Sequence, residues 1–435
     1  MKYFFPILLG RLARVLARAR GGGSAYPGYL VLKLLPTFLT DVTQQFDRGV
    51  LFVLGSNGKS TTTHMLSDIM RSHGLRVFTN PTGANLPQGI ASALLSEVSL
   101  FGKLKADVGV LEVDEAFAVE LSGHLHPSTV LMLNVQVDQL YRFYETSRVA
   151  DMMTDTAATA TTNVVTNRDD DYLGRYESQT ALSTPVTQVT TRFGASAALV
   201  TAAPHGLQNA SDFGRTEDGV AAADFSADSE VTALTADGAT IALGGTAGSS
   251  GESLDVRLPA RGLHYAVDAA AAIQTARVSL GSEFRLDRAV GAFAAMKPAY
   301  GRGERLKIGS DEAEFVMFKN AASLQLNLDA LQSVPEQVLL AIDEGTPDIS
   351  WIYDVDFSSL DHVDVVSGAK AWQIALRLEH AGIPITTVEP DIEKAIELMK
   401  ALPAPSTKTK NFIVNYEQMM IARKMLGYPD LEKRA

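Results

Sequence analysis

Cysteine is absent from all 435 residues, which excludes disulfides, thiolate metal sites and a cysteine nucleophile within this polypeptide. Any thiol chemistry must come from a partner. Long apolar runs are lacking too. The longest, Tyr3 to Leu9 and Tyr29 to Leu39, are broken by Pro6, Lys33 and Pro36 and fall short of the roughly 20 residues that span a bilayer, so no transmembrane helix is expected. Positive charge is in deficit, with a net charge of −12, which argues against a general nucleic-acid surface. The N-terminus opens as a secretory signal does, with Lys2 ahead of an apolar stretch. Arg11, Arg14, Arg18 and Arg20 then follow where a neutral cleavage region belongs, so a short amphipathic helix is the better reading. The sequence pI near 5.2 fits a cytoplasmic protein.

What is present is a soluble, globular composition, 46% hydrophobic and 20% charged, with length for two or three domains. From Gly49 to Asn134 an apolar strand, a turn and an amphipathic helix recur, which is how a parallel sheet with crossover helices reads. Strands are expected at Val50 to Leu54, Val77 to Thr79, Val108 to Val113 and Thr129 to Leu133. A helix should run from near Lys59 to a cap near Gly74, because Met65, Leu66, Ile69 and Met70 recur at helical spacing. The stretch 195–260 is rich in Ala, Gly, Ser, Thr and Asp and poor in large apolar residues, and reads as a low-complexity insertion or loose β excursion with partial disorder. Gly262 to Gly281 reads as a helix. From about residue 305 strands and helices alternate again. The expected class is α/β, divided into a helical lead-in (1–48), a central nucleotide-binding domain with a parallel sheet (49–304) and a C-terminal α/β domain (305–435).

The most informative segment is Gly55-Ser56-Asn57-Gly58-Lys59-Ser60, followed by Thr61. A strand, a turn with two glycines and a helix opening on lysine and a hydroxyl residue binds phosphate through backbone N–H groups and a helix N-terminus. Lys59 would reach the outer phosphates and Ser60 would ligate Mg²⁺. The loop is shorter than the full Walker spacing, since Val53 stands where the first glycine would be. Magnesium also takes a carboxylate. Glu112, at a strand end, is the candidate, with Asp114 and Glu115 as alternatives and a plain acidic turn as the bland reading. Asn134 and Asp138, leaving the next strand, are further candidates for the same crevice.

Gly55 to Thr63 resembles the short phosphate loop of Mur ligases and folylpolyglutamate synthases, with Ser for Thr at two positions. Four further segments, Thr82 to Leu86, Leu111 to Glu115, Asn134 to Leu140 and Ala299 to Glu304, together with Asp348-Ile349-Ser350-Trp351 to Phe357, resemble the MurT family. Its members are the Mur-ligase-like subunits of lipid II isoglutaminyl synthases, whose other subunit is a GatD-type glutaminase. The resemblance implies a Mur-ligase-like fold with a central P-loop ATPase domain. It implies ATP and Mg²⁺ as cofactors and a heterodimer with the glutaminase. It also implies glutamine-dependent amidation of the α-carboxylate of D-glutamate in lipid II, giving D-isoglutamine for peptidoglycan. Asp348 would complete the partner's Cys-His pair, with Asp354 and Asp356 as competitors and a turn or N-cap aspartate as the bland role. Lipid II is anchored at the inner leaflet, so the resemblance allows peripheral contact with the inner membrane face, where the arginines at 11, 14, 18 and 20 could touch headgroups, although a solvated helix face is the better reading of them.

The departures matter as well. The family's four-cysteine zinc ribbon has no counterpart, so no zinc is expected. No lysine occurs from Tyr141 to Asn167, where stand-alone Mur ligases carry a carbamylated one. The family's Lys-Asn-Pro-Ala-Gly is here Lys319-Asn320-Ala321-Ala322-Ser323, and its tyrosine-threonine motif is Asn415-Tyr416-Glu417. Two rival readings stay open: a stand-alone Mur or folylpolyglutamate-type amino-acid ligase, and a non-catalytic nucleotide-binding scaffold.

Overall fold

The computed structural model describes residues 2–19, 25–80, 84–136, 146–175, 188–202, 226–235, 237–244, 251–296, 302–331, 333–343 and 349–428. The chain divides into two compact units, Met1–Leu199 with Asn209–Leu258 and His264–Met296, and a second formed mainly by Lys297–Ala435.

In the first unit β1 (Val50–Leu54) is apolar and buried at every position, as a strand covered on both faces must be. It pairs in parallel with β3 (Val108–Glu112) on one side and β4 (Thr129–Met132) on the other. With β2 (Val77–Thr79), β5 (Asn163–Asn167), β6 (Val189–Ala195), β7 (Ser229–Leu234), β8 (Gly238–Leu243) and β9 (Glu252–Arg257) the sheet runs β2-β3-β1-β4-β5-β6-β7-β8-β9. The chain leaves β1 toward β2 and leaves β4 toward β5, in opposite directions. The carboxyl ends of β1 and β4 therefore flank a switch point, the crevice where open α/β sheets bind ligands.

Among the described strands of this sheet, only β7, β8 and β9 are antiparallel to a neighbour. They lie in the stretch that composition marks as an insertion, yet they continue the main sheet. Strict alternation explains it: Ala239, Ile241 and Leu243 are buried, as are Leu254 and Val256, and a period of two suffices to bury one face.

Helices α1 (Phe4–Ala19), α2 (Tyr26–Leu34) and α3 (Phe38–Thr43) precede the sheet. Pro27, just inside α2, suits a helix start because its missing N–H would be unpaired there anyway. The α2 backbone crosses α5 (Pro87–Glu97) so closely that a Cβ at Gly28 would lie 1.8 Å from the Gln88 carbonyl oxygen. Ile7, Val31, Phe38, Ile90, Leu94 and Leu95 share one apolar core with Phe52 and Leu54 of β1. The sheet is further lined by α4 (Lys59–Ser72), α6 (Glu115–Leu125) and α7 (Thr146–Ala158).

The second unit holds β10 (Arg302–Ile308), β11 (Asp311–Phe318), β12 (Val338–Ala341), β13 (Val363–Ser367), β14 (Ile385–Glu389) and β15 (Thr409–Asn415) in the order β10-β11-β15-β12-β13-β14. All pairs are parallel except β10 with β11. Lys410, fully buried on β15, donates to the carbonyls of Met399 and Leu402 at 2.8 and 3.1 Å and lies 3.4 Å from Asp311. It thereby caps the end of the helix Ile392–Ala401, where cations are favoured. Among the described residues no helix is long and apolar enough to cross a membrane.

Candidate active site

The loop after β1 enters α4 through Gly58, whose φ of +84° is open to glycine at little cost. A Cβ there would also sit 2.5 Å from Asp268 Oδ1. The loop is braced from the carboxyl end of β4. Asn134 Oδ1 accepts from Asn57 N–H at 2.9 Å, and its Nδ2 donates to the Asn57 carbonyl at 3.0 Å. Its own carbonyl accepts from Ser56 N–H at 3.0 Å. Ser56 Oγ donates to the Gln136 carbonyl and accepts from its N–H. These bonds hold the two strand ends together at the switch point.

Each acidic residue after β3 has its own task. Glu112 Oε2 accepts from Ser60 Oγ at 2.6 Å, so the two expected magnesium ligands meet. The Glu112 backbone is held on both sides by the Asn80 amide, at 2.9 and 3.0 Å. Asp114 caps α6 by accepting from Ala116 N–H. Glu115 Oε1 lies 2.6 Å from Lys59 Nζ, both side chains being buried, and accepts from Gly55 N–H at 3.1 Å. Lys59 also donates to the Gly55 carbonyl. Thr61 is buried one residue beyond Ser60 in α4. Ser60 and Glu112 supply hard oxygen donors, few in number, which fits Mg²⁺, an ion that keeps several waters and completes its shell with phosphate oxygens.

Two expected site residues, Asp138 and Asp348, lie outside the described residues. Of the latter's competitors, Asp356 accepts from Ser358 N–H and Oγ, the work of a turn aspartate, whereas Asp354 is exposed at the end of the short helical turn Ser350–Asp354. Lys319 to Ser323 follow β11, and Asn415 is the last residue of the adjacent, parallel strand β15. Each forms a helix start: Asn320 and Ser323 make a reciprocal capping box, and Asn415 accepts from Gln418 N–H.

Three residues of the site were not anticipated. Asp268, in the alanine-rich helix Leu263–Leu280, reaches the phosphate loop from more than two hundred residues away. A lone acid amid buried alanines was its one signal. Asn80 directly follows β2, with nothing in its neighbours to mark it. Asp170 is wholly buried and accepts from the N–H groups of Val135, Tyr172 and Leu173 at 2.8, 3.0 and 3.0 Å. Burial pushes its carboxyl up to about 6, against the lowering effect of those donors. Through Val135 it fixes the segment carrying Asn134 and Gln136.

Residues 53–276 match the Mur ligase middle domain and residues 317–419 the MurT ligase C-terminal domain. The chain is 24% identical to the lipid II isoglutaminyl synthase (glutamine-hydrolyzing) subunit MurT of Streptococcus pneumoniae, over 98% of this chain and 97% of that one. Among solved structures it resembles the MurF ligase of Thermotoga maritima in complex with ADP, with a TM-score of 0.61 and 18% identity over 94% and 85% of the two chains. It also resembles the folylpolyglutamate synthase of Mycobacterium tuberculosis complexed with ADP and AMPPCP, with a TM-score of 0.63 and 14% identity over 91% and 96%. At such identities the structural likeness carries the fold.

Proposed function

Since this chain belongs to the Mur ligase family, we propose that it is the synthetase subunit of a glutamine-dependent amidotransferase that converts the D-glutamate of lipid II to D-isoglutamine with ATP. The observation that carries the reading is the pairing of Ser60 with Glu112 beside Lys59 at the sheet's switch point, in a chain that aligns end to end with a MurT subunit.

The loop amides and the α4 N-terminus would receive the nucleotide phosphates, with Lys59 and Mg²⁺ offsetting charge on the transferring group. Ser60 and Glu112 would hold the ion, which polarises the phosphoryl oxygens. An oxygen of the D-glutamate α-carboxylate attacks the γ-phosphorus and the bond to ADP breaks, giving an acyl phosphate. Ammonia then attacks the acyl carbon, phosphate leaves, and the nitrogen loses a proton to become the amide. A nucleotide phosphate would compete with Glu115 for the Lys59 ammonium.

Ammonia would come from a GatD-type glutaminase, because this chain has no cysteine with which to hydrolyse glutamine. Asp348 is assigned to that partner's triad, where a carboxylate orients the histidine. The test uses the chain with its glutaminase, lipid II and ATP, and reads ADP and amidated product with glutamine or ammonium as donor. Equal ADP and amide from either donor supports the proposal. ADP formation dependent on a free amino acid would favour a stand-alone ligase, and no ADP at all a scaffold.

A further inference from the structure

The last register pair of β4 with β5 joins Met132 to Thr166, yet the backbone beyond it keeps the alternating hydrogen bonds of a strand. On the edge facing the phosphate loop, Leu133 N–H donates to the Leu54 carbonyl at 2.9 Å and the Asn134 carbonyl accepts from Ser56 N–H at 3.0 Å. On the opposite edge the partners are side chains. Asn167 Nδ2 donates to the Leu133 carbonyl and Asp170 Oδ2 accepts from Val135 N–H, both at 2.8 Å. Two buried residues where the chain leaves β5 thus stand in for a neighbouring strand, since buried backbone groups must be paired. Asn134 is the residue between these two anchors, and its amide and carbonyl are what grip Ser56 and Asn57.

The two oxygens of Asp170 separate this work from turn formation. Oδ1 accepts from Tyr172 and Leu173 N–H, both at 3.0 Å, which an asparagine would do as well. Only Oδ2 serves Val135, and an amide nitrogen in its place would meet that N–H donor to donor. Burying a carboxylate is unfavourable, and burial pushes this one up to about 6, so the turn alone does not account for it. Asn167 is divided in the same manner. Its Oδ1 accepts from Asp169 N–H at 2.9 Å, while Nδ2 serves Leu133, where a carboxylate oxygen would face the carbonyl acceptor to acceptor. Because Ser56 and Asn57 N–H are both engaged by Asn134, the path of the loop into α4 is set from this strand end. With it goes the direction of the α4 N-terminus, since the first N–H groups of a helix have no acceptor within it and are the ones that meet an anion.

We propose that Asn167 and Asp170 are positioning residues of the nucleotide site, which hold the backbone on both sides of Asn134 so that Asn134 locks the phosphate loop in its anion-binding form. This role rests on the reading of Gly55 to Ser60 as a phosphate loop. The full chain is titrated with ADP and Mg²⁺ in a calorimeter at about pH 8, where the Asp170 carboxyl is ionised, at a temperature where thermal unfolding shows every variant folded. Asp170→Asn and Asn167→Asp should each weaken ADP binding about tenfold or more. Asn163→Ala removes a buried bond to Thr129 at the other end of β5, and should lower stability while leaving ADP affinity unchanged. Asn134→Ala/Asp170→Asn should bind ADP about as weakly as Asn134→Ala alone, because one residue acts through the other. Unchanged affinity in both Asp170→Asn and Asn167→Asp overturns the proposal, as does a loss that Asn163→Ala shares or one that adds to the loss in Asn134→Ala. No ADP binding to the wild type overturns the phosphate-loop reading as well. Wild-type binding that Lys59→Met/Glu115→Gln abolishes keeps that reading in place, whatever the Asp170 variant does. Should Asp170→Asn fail to fold, Asn167→Asp carries the same comparison.

Discussion

Lys59 and Glu115 form an ion pair at 2.6 Å with side chains only 9 and 8% exposed, so removing either charge disturbs the fold as well as the chemistry. Lys59→Met keeps the volume and leaves the Glu115 carboxylate buried with the Gly55 N–H but without this cation. Breaking a buried pair from one side costs about 3–5 kcal/mol, against a domain stability of about 5–15 kcal/mol. Lost activity in that variant would therefore be ambiguous. Lys59→Met/Glu115→Gln removes both charges, and most of the loss should return, because no uncompensated ion remains buried. Urea unfolding of the wild type, both single variants and the double variant gives the coupling energy. ATP turnover with lipid II and glutaminase gives the functional arm. The double variant should be close to wild type in stability and inactive. A Lys59→Met protein as stable as wild type would refute the reasoning on burial, and a double variant with wild-type turnover would refute the assignment of Lys59 to the nucleotide.

Glu112→Gln should weaken apparent Mg²⁺ affinity about tenfold or more while ATP binding without metal is unchanged; an unaltered magnesium titration moves the role away from Glu112. Asp348→Asn should lose amidation with glutamine and keep it with ammonium in an assembled complex, and loss with both donors would place it in the synthetase site. Asp170, with its carboxyl raised from 3.8 to about 6 by burial, favours folding most below its unfolded value, and that contribution disappears as pH rises through about 6. Between about pH 7.5 and about pH 5 the stability of wild type relative to Asp170→Asn should rise by about 1.4 kcal/mol, read by urea unfolding at both values; a difference that falls or stays flat shows that Asp170 is not protonated in this range.

Local signals made much of the site readable. Val50 to Leu54 is an unbroken apolar run, the loop glycines and Lys59 are contiguous, and Glu112 ends a strand that pairs in register with β1, so its proximity to Ser60 followed from two adjacent strands. Asp268 and Asp170 depend instead on how distant segments pack, which no local pattern records. Asp114 and Glu115 could not be separated from Glu112 by spacing, since one caps a helix and the other meets Lys59 only once α6 turns away from β3. The stretch 195–260 reads from composition as an insertion or loose β excursion, and in its described part the sparse but strictly alternating apolar residues of β8 and β9 bury one face.

The crossing at Gly28 sets where this protein can be cut. The family match begins at residue 53, which invites expression of a fragment starting there. Such a fragment would lack Ile7, Val31 and Phe38 and bare Ile90, Leu94 and Leu95, which share their core with β1, so it should aggregate. Selection is correspondingly uneven along the lead-in. Sequence drift is cheap in the exposed turns, but every side chain at position 28 collides with backbone, so descendants that keep α2 docked on α5 must keep that glycine.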